Sequence, residues 1–237
     1  MRILAIDSSA TAASAALVED GKVLGEFYIN TKLTHSQTLM PMITNVLQCT
    51  RTELSEVDLF AVSAGPGSFT GIRIGIASMK GLAMAQNKPC VGVSTLEAMA
   101  ENLSHLKGTV CAVMDARCQQ VYNAVFAVDH GKMERLTPDR ALSVESLAKE
   151  CEESKNYEKP LYLVGDGAKL CYNIERFQEL GAVLPPEPLI YQRACGVAKA
   201  AVRIYENGGA VSAAALMPVY LRLPQAEREL KKRMKEK

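Results

Sequence analysis

One pattern, present twice, most limits what this chain can fold into. An apolar run from Ile3 to Ile6 ends at Asp7, and a short polar turn follows. Ala13 to Val18 reads as a second strand, and Asp20-Gly21 marks a hairpin into a third strand over 22–29. Further along, Val110 to Met114 ends at Asp115, and Val121 to Val128 alternates like a strand. His130-Gly131-Lys132 then takes the place of Asp20-Gly21-Lys22. A repeated strand–Asp–turn–strand–hairpin–strand unit predicts two related α/β lobes, each a mixed sheet opened by a three-strand meander and flanked by helices. The expected division is an N-terminal lobe over 1–104, completed by a helix near 190–207, a C-terminal lobe over 105–223, and a basic tail over 224–237.

The intervening segments supply the flanking elements. Ser36 to Thr50 has helical periodicity, and 58–64 reads as a strand. A glycine-rich loop, Gly65 to Gly71, leads into a helix reaching about Gln86, with Thr70 as its expected cap. Cys90 to Val93 is a strand. Ser94 with Glu97 three residues on forms a capping-box pattern for the next helix. Helices are expected over 143–154, 168–180 and 190–207, with a strand over 161–164.

Composition narrows the chemistry. Lys and Arg number 27 against 26 Asp and Glu, a net charge of +1, which argues against gripping nucleic acid over the whole surface. The charge is unevenly spread. From Arg222 onward seven Lys/Arg face three Glu, a local +4 that leaves −3 on the body. The seven Cys are scattered without a Cys-x-x-Cys, which fits reduced thiols in a cytoplasmic protein. Asp7 interrupts any signal-peptide apolar region, and no apolar run is long enough for a membrane span. The three His do not pair, zinc-protease spacing is absent, and no metal-binding or catalytic residue is assigned.

Two strands ending in mirrored aspartates invite an actin-like nucleotide-site reading, in which hairpins from two lobes clasp phosphates. The anion-site candidates are Asp7, Ser8 and Ser9, with Gly65 and Gly67 from a loop that opens a helix N-terminus. That loop is neither a Walker loop nor a nucleophile elbow. The opposing reading is that both aspartates merely hydrogen-bond the turns after them. The helices over 36–50 and 72–86 carry wider apolar arcs than one packing face needs. They point to a partner interface through Leu39, Met40, Ile43 and Leu47 on the first and Ile72, Ile76, Met79, Lys80 and Ala83 on the second, unless the chain itself covers the excess.

Several segments resemble the TsaB (YeaZ) family. They are Ala5-Ile6-Asp7-Ser8-Ser9, the run from Ser63 to Arg73, Met114-Asp115-Ala116-Arg117 with Val121-Tyr122, Val164-Gly165-Asp166-Gly167, and Tyr220-Leu221-Arg222. The resemblance implies an actin-like ATPase, ribonuclease H-like fold. It also implies a role in making N6-threonylcarbamoyladenosine at position 37 of tRNA, as a non-catalytic partner of the metal-binding paralogue TsaD. The paralogue's Asn-His-Leu-Glu-Gly-His corresponds here to Ser94-Thr95-Leu96-Glu97-Ala98-Met99, so Thr95 and Met99 replace the two metal-binding His. The resemblance further implies the ATPase TsaE and the adenylate-forming TsaC as functional partners, tRNA contact through the complex, and a homodimer when the paralogue is absent. No cofactor is expected on the chain alone, with ATP or ADP at the complex interface. The competing readings are a self-sufficient actin-like ATPase or small-molecule kinase and, from the family's glycoprotease-like label, a peptidase, for which the sequence offers no metal motif or nucleophile.

Overall fold

The structure, a computed structural model, describes residues 1–222 apart from Lys32 and Lys155. The basic tail expected over 224–237 lies outside the described residues.

The first lobe is a five-stranded sheet ordered β3-β2-β1-β4-β5, built from β1 (Arg2–Asp7), β2 (Ala12–Glu19), β3 (Lys22–Asn30), β4 (Leu59–Gly65) and β5 (Cys90–Ser94). β1 runs antiparallel to β2 and parallel to β4. The second lobe repeats the arrangement. β6 (Lys107–Asp115) is antiparallel to β7 (Gln120–Asp129), which pairs with β8 (Lys132–Arg135) and with β9 (Arg140–Ser143), while β10 (Leu161–Val164) runs parallel to β6. β6 thus stands where β1 stands, β7 where β2 does and β10 where β4 does. In place of a counterpart to β5 beside β10, the second lobe has a single parallel bridge from Tyr162 to Val183.

Helices cover both sheets. α1 (His35–Cys49) and α2 (Phe69–Gln86) pack on one face of the first sheet, burying Leu39, Ile43, Ile72, Ile76 and Met79 with Leu4, Ile6, Leu17 and Phe60. α7 (Ala194–Glu206) covers the other face, where Ala194, Val197, Ala198 and Ala201 meet Ile3, Ala5 and Val91. The row of alanines lets this helix lie close to the strands. In the second lobe, α4 (Val144–Glu153), α5 (Ala168–Tyr172) and α6 (Glu175–Glu179) cover one face. The other is covered by α3 (Thr95–Glu101), whose Leu96 and Met99 pack with Val110 and Phe126, while its Ala98 joins the first lobe's core. A helix counted within 1–104 therefore straddles the two lobes.

Three expected elements differ. The helix over 168–180 breaks at Asn173 into α5 and α6, where Ile174 turns extended. The helix expected from Ile190 starts at Ala194, because the Ile190 carbonyl accepts from Gly165 N at 2.7 Å and Arg193, just before the helix, is extended. The capping box at Ser94 is half made. Ser94 Oγ accepts from Glu97 N, but the Glu97 carboxylate accepts from Arg135 (2.8 Å) and Arg203 (3.0 Å), tying α3 to β8 and α7.

The first turn of α7 is fixed from across the sheet. Glu26 on β3 is nearly buried, accepts from both Arg193 Nε (3.1 Å) and Nη2, and takes Cys195 N at 3.2 Å. A carboxylate at a helix N-terminus is favoured by the exposed amides and the helix dipole. Replacing Glu26 with Ala removes both anchors at once. The expected result is a loss of about 2 kcal/mol, read as a lower urea midpoint at unchanged slope.

Candidate functional site between the lobes

A cleft of about 560 Å³ opens where the two lobes meet. Its walls come from the turn after β1 (Ser9 to Thr11), the glycine loop (Pro66 to Thr70), the end of β6 with the turn after it (Met114 to Arg117), and Asp166 after β10. The closing segment Val219–Arg222 forms its rim.

The two strand-end aspartates make the same local bond. Asp7 Oδ1 accepts from Ser9 N at 2.9 Å, and Asp115 Oδ1 accepts from Arg117 N at 2.7 Å. Each stabilises the turn two residues on. Their surroundings differ. Asp7 is wholly buried and also accepts from the hydroxyls of Ser9 (2.7 Å) and Ser63. Burial pushes its carboxyl up from the ordinary range, and those hydrogen bonds pull it back. Asp115 is exposed to the cleft.

The anion-site candidates are accordingly corrected. Asp7 is sealed from the cleft by its serine partners. Ser8 is buried and donates to the Gly71 carbonyl at 2.9 Å, and the buried Ser9 hydroxyl is spent on Asp7. Gly65 and Gly67 set the path of the loop. Gly65 sits at φ +128°, where a Cβ would collide with the Val219 carbonyl, and a Cβ at Gly67 would strike the Ser9 carbonyl. The next amide, Ser68 N, donates to Ser9 O at 2.6 Å, and Ser68 Oγ, rather than the expected Thr70, caps α2 by accepting from Gly71 N. The Asp7, Ser8 and Ser9 side chains do not fit a phosphate clasp, because each is hydrogen-bonded within the protein.

The interface candidates are corrected in the same way. Leu39, Ile43, Ile72, Ile76, Met79 and Ala83 are buried in the chain's own core, because α1 lies in the angle between its sheet and α2 and so is covered on two sides. Leu47 is half-buried. Lys80, also half-buried, donates to the carbonyls of Ala214 (3.0 Å) and Leu216 (3.2 Å). Met40 alone of the nine is exposed. The outward faces instead carry Met40, Pro41 and Thr44 on α1 and Ala77, Gly81, Met84 and Ala85 on α2.

A strap over 210–222 was not anticipated. Val211 bridges to Cys90, Leu216 is buried, Val219 N donates to Ala64 O at 2.8 Å, and Arg222 reaches the Ala116 carbonyl at 2.7 Å, crossing from one lobe to the other. Tyr220 stacks on Phe69 with ring centroids 4.4 Å apart, and Arg73 lies 4.0 Å over the other ring while donating to the Tyr220 hydroxyl. Only the Tyr220-Leu221-Arg222 resemblance hinted at this part of the site.

Among the described residues, no three His, Cys, Asp or Glu side chains gather where they could hold a metal ion. Thr95 and Met99 are both fully buried in the core. No helix among the described residues is long and apolar enough to cross a membrane.

Two lobes on one strand plan, with a cleft between strand-end aspartates, define the actin-like ATPase, ribonuclease H-like class. Solved structures agree. The ethanolamine utilization protein EutJ from Carboxydothermus hydrogenoformans shares the fold, at a TM-score of 0.51 and 15% identity over 84% of this chain and 89% of that one. A protein from Pseudomonas aeruginosa, described as similar to the peptidase YEAZ, superposes with a TM-score of 0.76 and 28% identity, covering 93% of this chain and 99% of that one. The family model for TsaD, tRNA N6-adenosine threonylcarbamoyltransferase, matches residues 22–228. The Escherichia coli K12 tRNA threonylcarbamoyladenosine biosynthesis protein TsaB is 33% identical over 94% of this chain and 95% of its own length. The chain belongs to the TsaB family.

Burial, followed by the nearby Asp115 carboxylate, pushes Asp166 from 3.8 up to about 6, while backbone amides pull the other way. The folded chain therefore holds this proton more tightly than the unfolded one. The ionised carboxyl costs nothing below 3.8 and opposes folding increasingly as pH rises through about 6. Asp166→Asn should gain about 1–2 kcal/mol at about pH 7.5 and nothing near pH 3.5, checked by urea unfolding at both pH values.

Proposed function

We propose that this chain is a non-catalytic scaffold subunit of the machinery that makes N6-threonylcarbamoyladenosine in tRNA, pairing with its metal-binding paralogue TsaD. The observation that carries the non-catalytic part is the sealed Asp7. The carboxylate that an actin-like enzyme would turn toward a metal-bound water is enclosed by Ser9 and Ser63, and the Ser8 and Ser9 hydroxyls are engaged within the fold. Thr95 and Met99, at the positions of the paralogue's metal ligands, support the same reading, since both lie inside the core.

The pairing surface is the outward side of α1 and α2. Small side chains at Ala77, Gly81 and Ala85 permit close helix approach, and the exposed Met40 and Met84 adapt to a partner's contours. In this reading the same face forms a homodimer when the paralogue is absent. TsaE joins the pair, TsaC supplies the activated threonylcarbamoyl group, ATP or ADP binds at the assembled interface, and the work is cytoplasmic.

Met40→Asp and Ala77→Arg should abolish co-purification with TsaD and tRNA modification in a reconstituted reaction. Both change stability by less than about 0.5 kcal/mol, as expected of surface positions. Ile76→Asp should instead unfold the chain, because that side chain is only 5% exposed. Retained pairing by the two surface variants would overturn the assignment of the face. Calorimetry of the isolated chain with ATP tests the non-catalytic reading, and measurable binding that is lost in Asp7→Ala would contradict it.

A further inference from the structure

The described residues contain ten arginines, and six of them pair with a carboxylate: Arg2, Arg135, Arg140, Arg176, Arg193 and Arg203. Of the remaining four, Arg51 lies elsewhere, Arg117 and Arg222 line the interlobe cleft, and Arg73 lies beside it against the Phe69–Tyr220 stack. Arg73 joins the Phe69–Tyr220 stack, Arg117 projects from the turn after β6, and Arg222 crosses the gap to a neutral carbonyl. Among the described residues, most guanidinium groups pair with a carboxylate, while these three cluster around one opening without one.

The turn that presents Arg117 is costly. Arg117, Cys118 and Gln119 all have left-handed φ values, 64°, 55° and 55°, and none is glycine. Runs of this kind are disfavoured by roughly 1–2 kcal/mol per residue. The turn is held by Asp115, which accepts from Arg117 N, and by Val144 N donating to Gln119 O at 3.1 Å. Across the opening, Tyr220 is 38% exposed on its stack with Phe69. The interior is of opposite sign, since Asp115 and Asp166 line it.

Resting on the function proposed above, we infer that this rim binds an unpaired segment of RNA. Arg73, Arg117 and Arg222 would meet the phosphates, and Tyr220 with Phe69 would stack a base. Cationic side chains tracking a backbone beside an aromatic platform are the recognition chemistry of single strands. The acidic floor repels phosphate, so the strand lies across the mouth instead of entering as a mononucleotide would. The chain continues from Arg222 into a segment rich in Lys and Arg, which adds positive charge at the same end of the sequence.

The test uses the full chain and a fluorescein-labelled tRNA anticodon-loop oligonucleotide, followed by anisotropy across a salt series. Binding should weaken about tenfold in Tyr220→Ala, the size expected for one lost base stack. In Arg117→Ala and Arg222→Ala the salt slope should drop by about one each, while Arg117→Lys keeps it. Arg51→Ala serves as a control with no expected change. Equal affinity for a blunt duplex of the same length, wild-type binding by all three rim variants, or no binding by the chain at low salt would each overturn the inference. Co-purification with TsaD from the same preparations keeps the outcomes apart. Rim variants that pair normally but lose RNA affinity support the rim, whereas an unmutated chain that binds the oligonucleotide but does not pair with TsaD would discard the scaffold reading alone.

Discussion

A carboxylate shut away from water must draw its hydrogen bonds from the protein, and Asp7 draws three. The Ser9 amide and hydroxyl and the Ser63 hydroxyl close around it at the end of β1. Leaving a buried charge unpaired costs several kcal/mol, so these bonds fix the positions of everything that supplies them. Ser63 joins β4 to β1, and Ser9 shapes the turn. The carbonyl of Ser9 then accepts Ser68 N, which sets the glycine loop and, through the Ser68 cap, the start of α2. Gly71 has no Cβ, so α2 seats directly against the Ser8 carbonyl, where any side chain would collide. One enclosed carboxylate thereby fixes the sheet end, the loop and the start of α2.

The second lobe shows the same plan with that constraint relaxed. Asp115 makes the equivalent bond to its turn but remains exposed, and its strand end contacts Asp166 through a bond from Asp115 N at 3.1 Å. The two halves have kept a strand order and a turn while diverging in what the aspartate touches. One is a structural fastener, and the other is part of a charged cleft floor.

This divergence explains what the sequence could disclose. The repeat, the strand order it implies and both aspartate turns were legible, because hydrophobic period and turn chemistry are local signals. Which arc of α1 and α2 faces outward was not. Leu39 and Ile76 look like surplus apolar surface when each helix is read alone, and they are core once α1, α2 and the sheet meet. The strap over 210–222 left little trace because its order comes from single contacts, such as Val219 to Ala64 and Lys80 to the Ala214 carbonyl, with no repeating pattern. The sealing of Asp7 was hidden for a related reason, since Ser63 lies far along the chain and only the parallel pairing of β1 with β4 brings it near.

The bonds that cross between lobes bear on how such a chain could assist a partner. Arg222 ties the strap to the Ala116 carbonyl, Glu97 holds Arg135 of β8 and Arg203 of α7 at once, and Asn102 donates to the Tyr191 carbonyl at 2.9 Å. Actin-like enzymes use the hinge between lobes to close on nucleotide. Here charged and neutral hydrogen bonds join the lobes, and the Asp7, Ser8 and Ser9 side chains are engaged internally. A surface carried on a braced frame loses little conformational freedom when it docks, so more of its contact energy remains for association. On the scaffold reading proposed above, the bonds between the lobes and the enclosure of Asp7 serve one end, a face of α1 and α2 held in a single position.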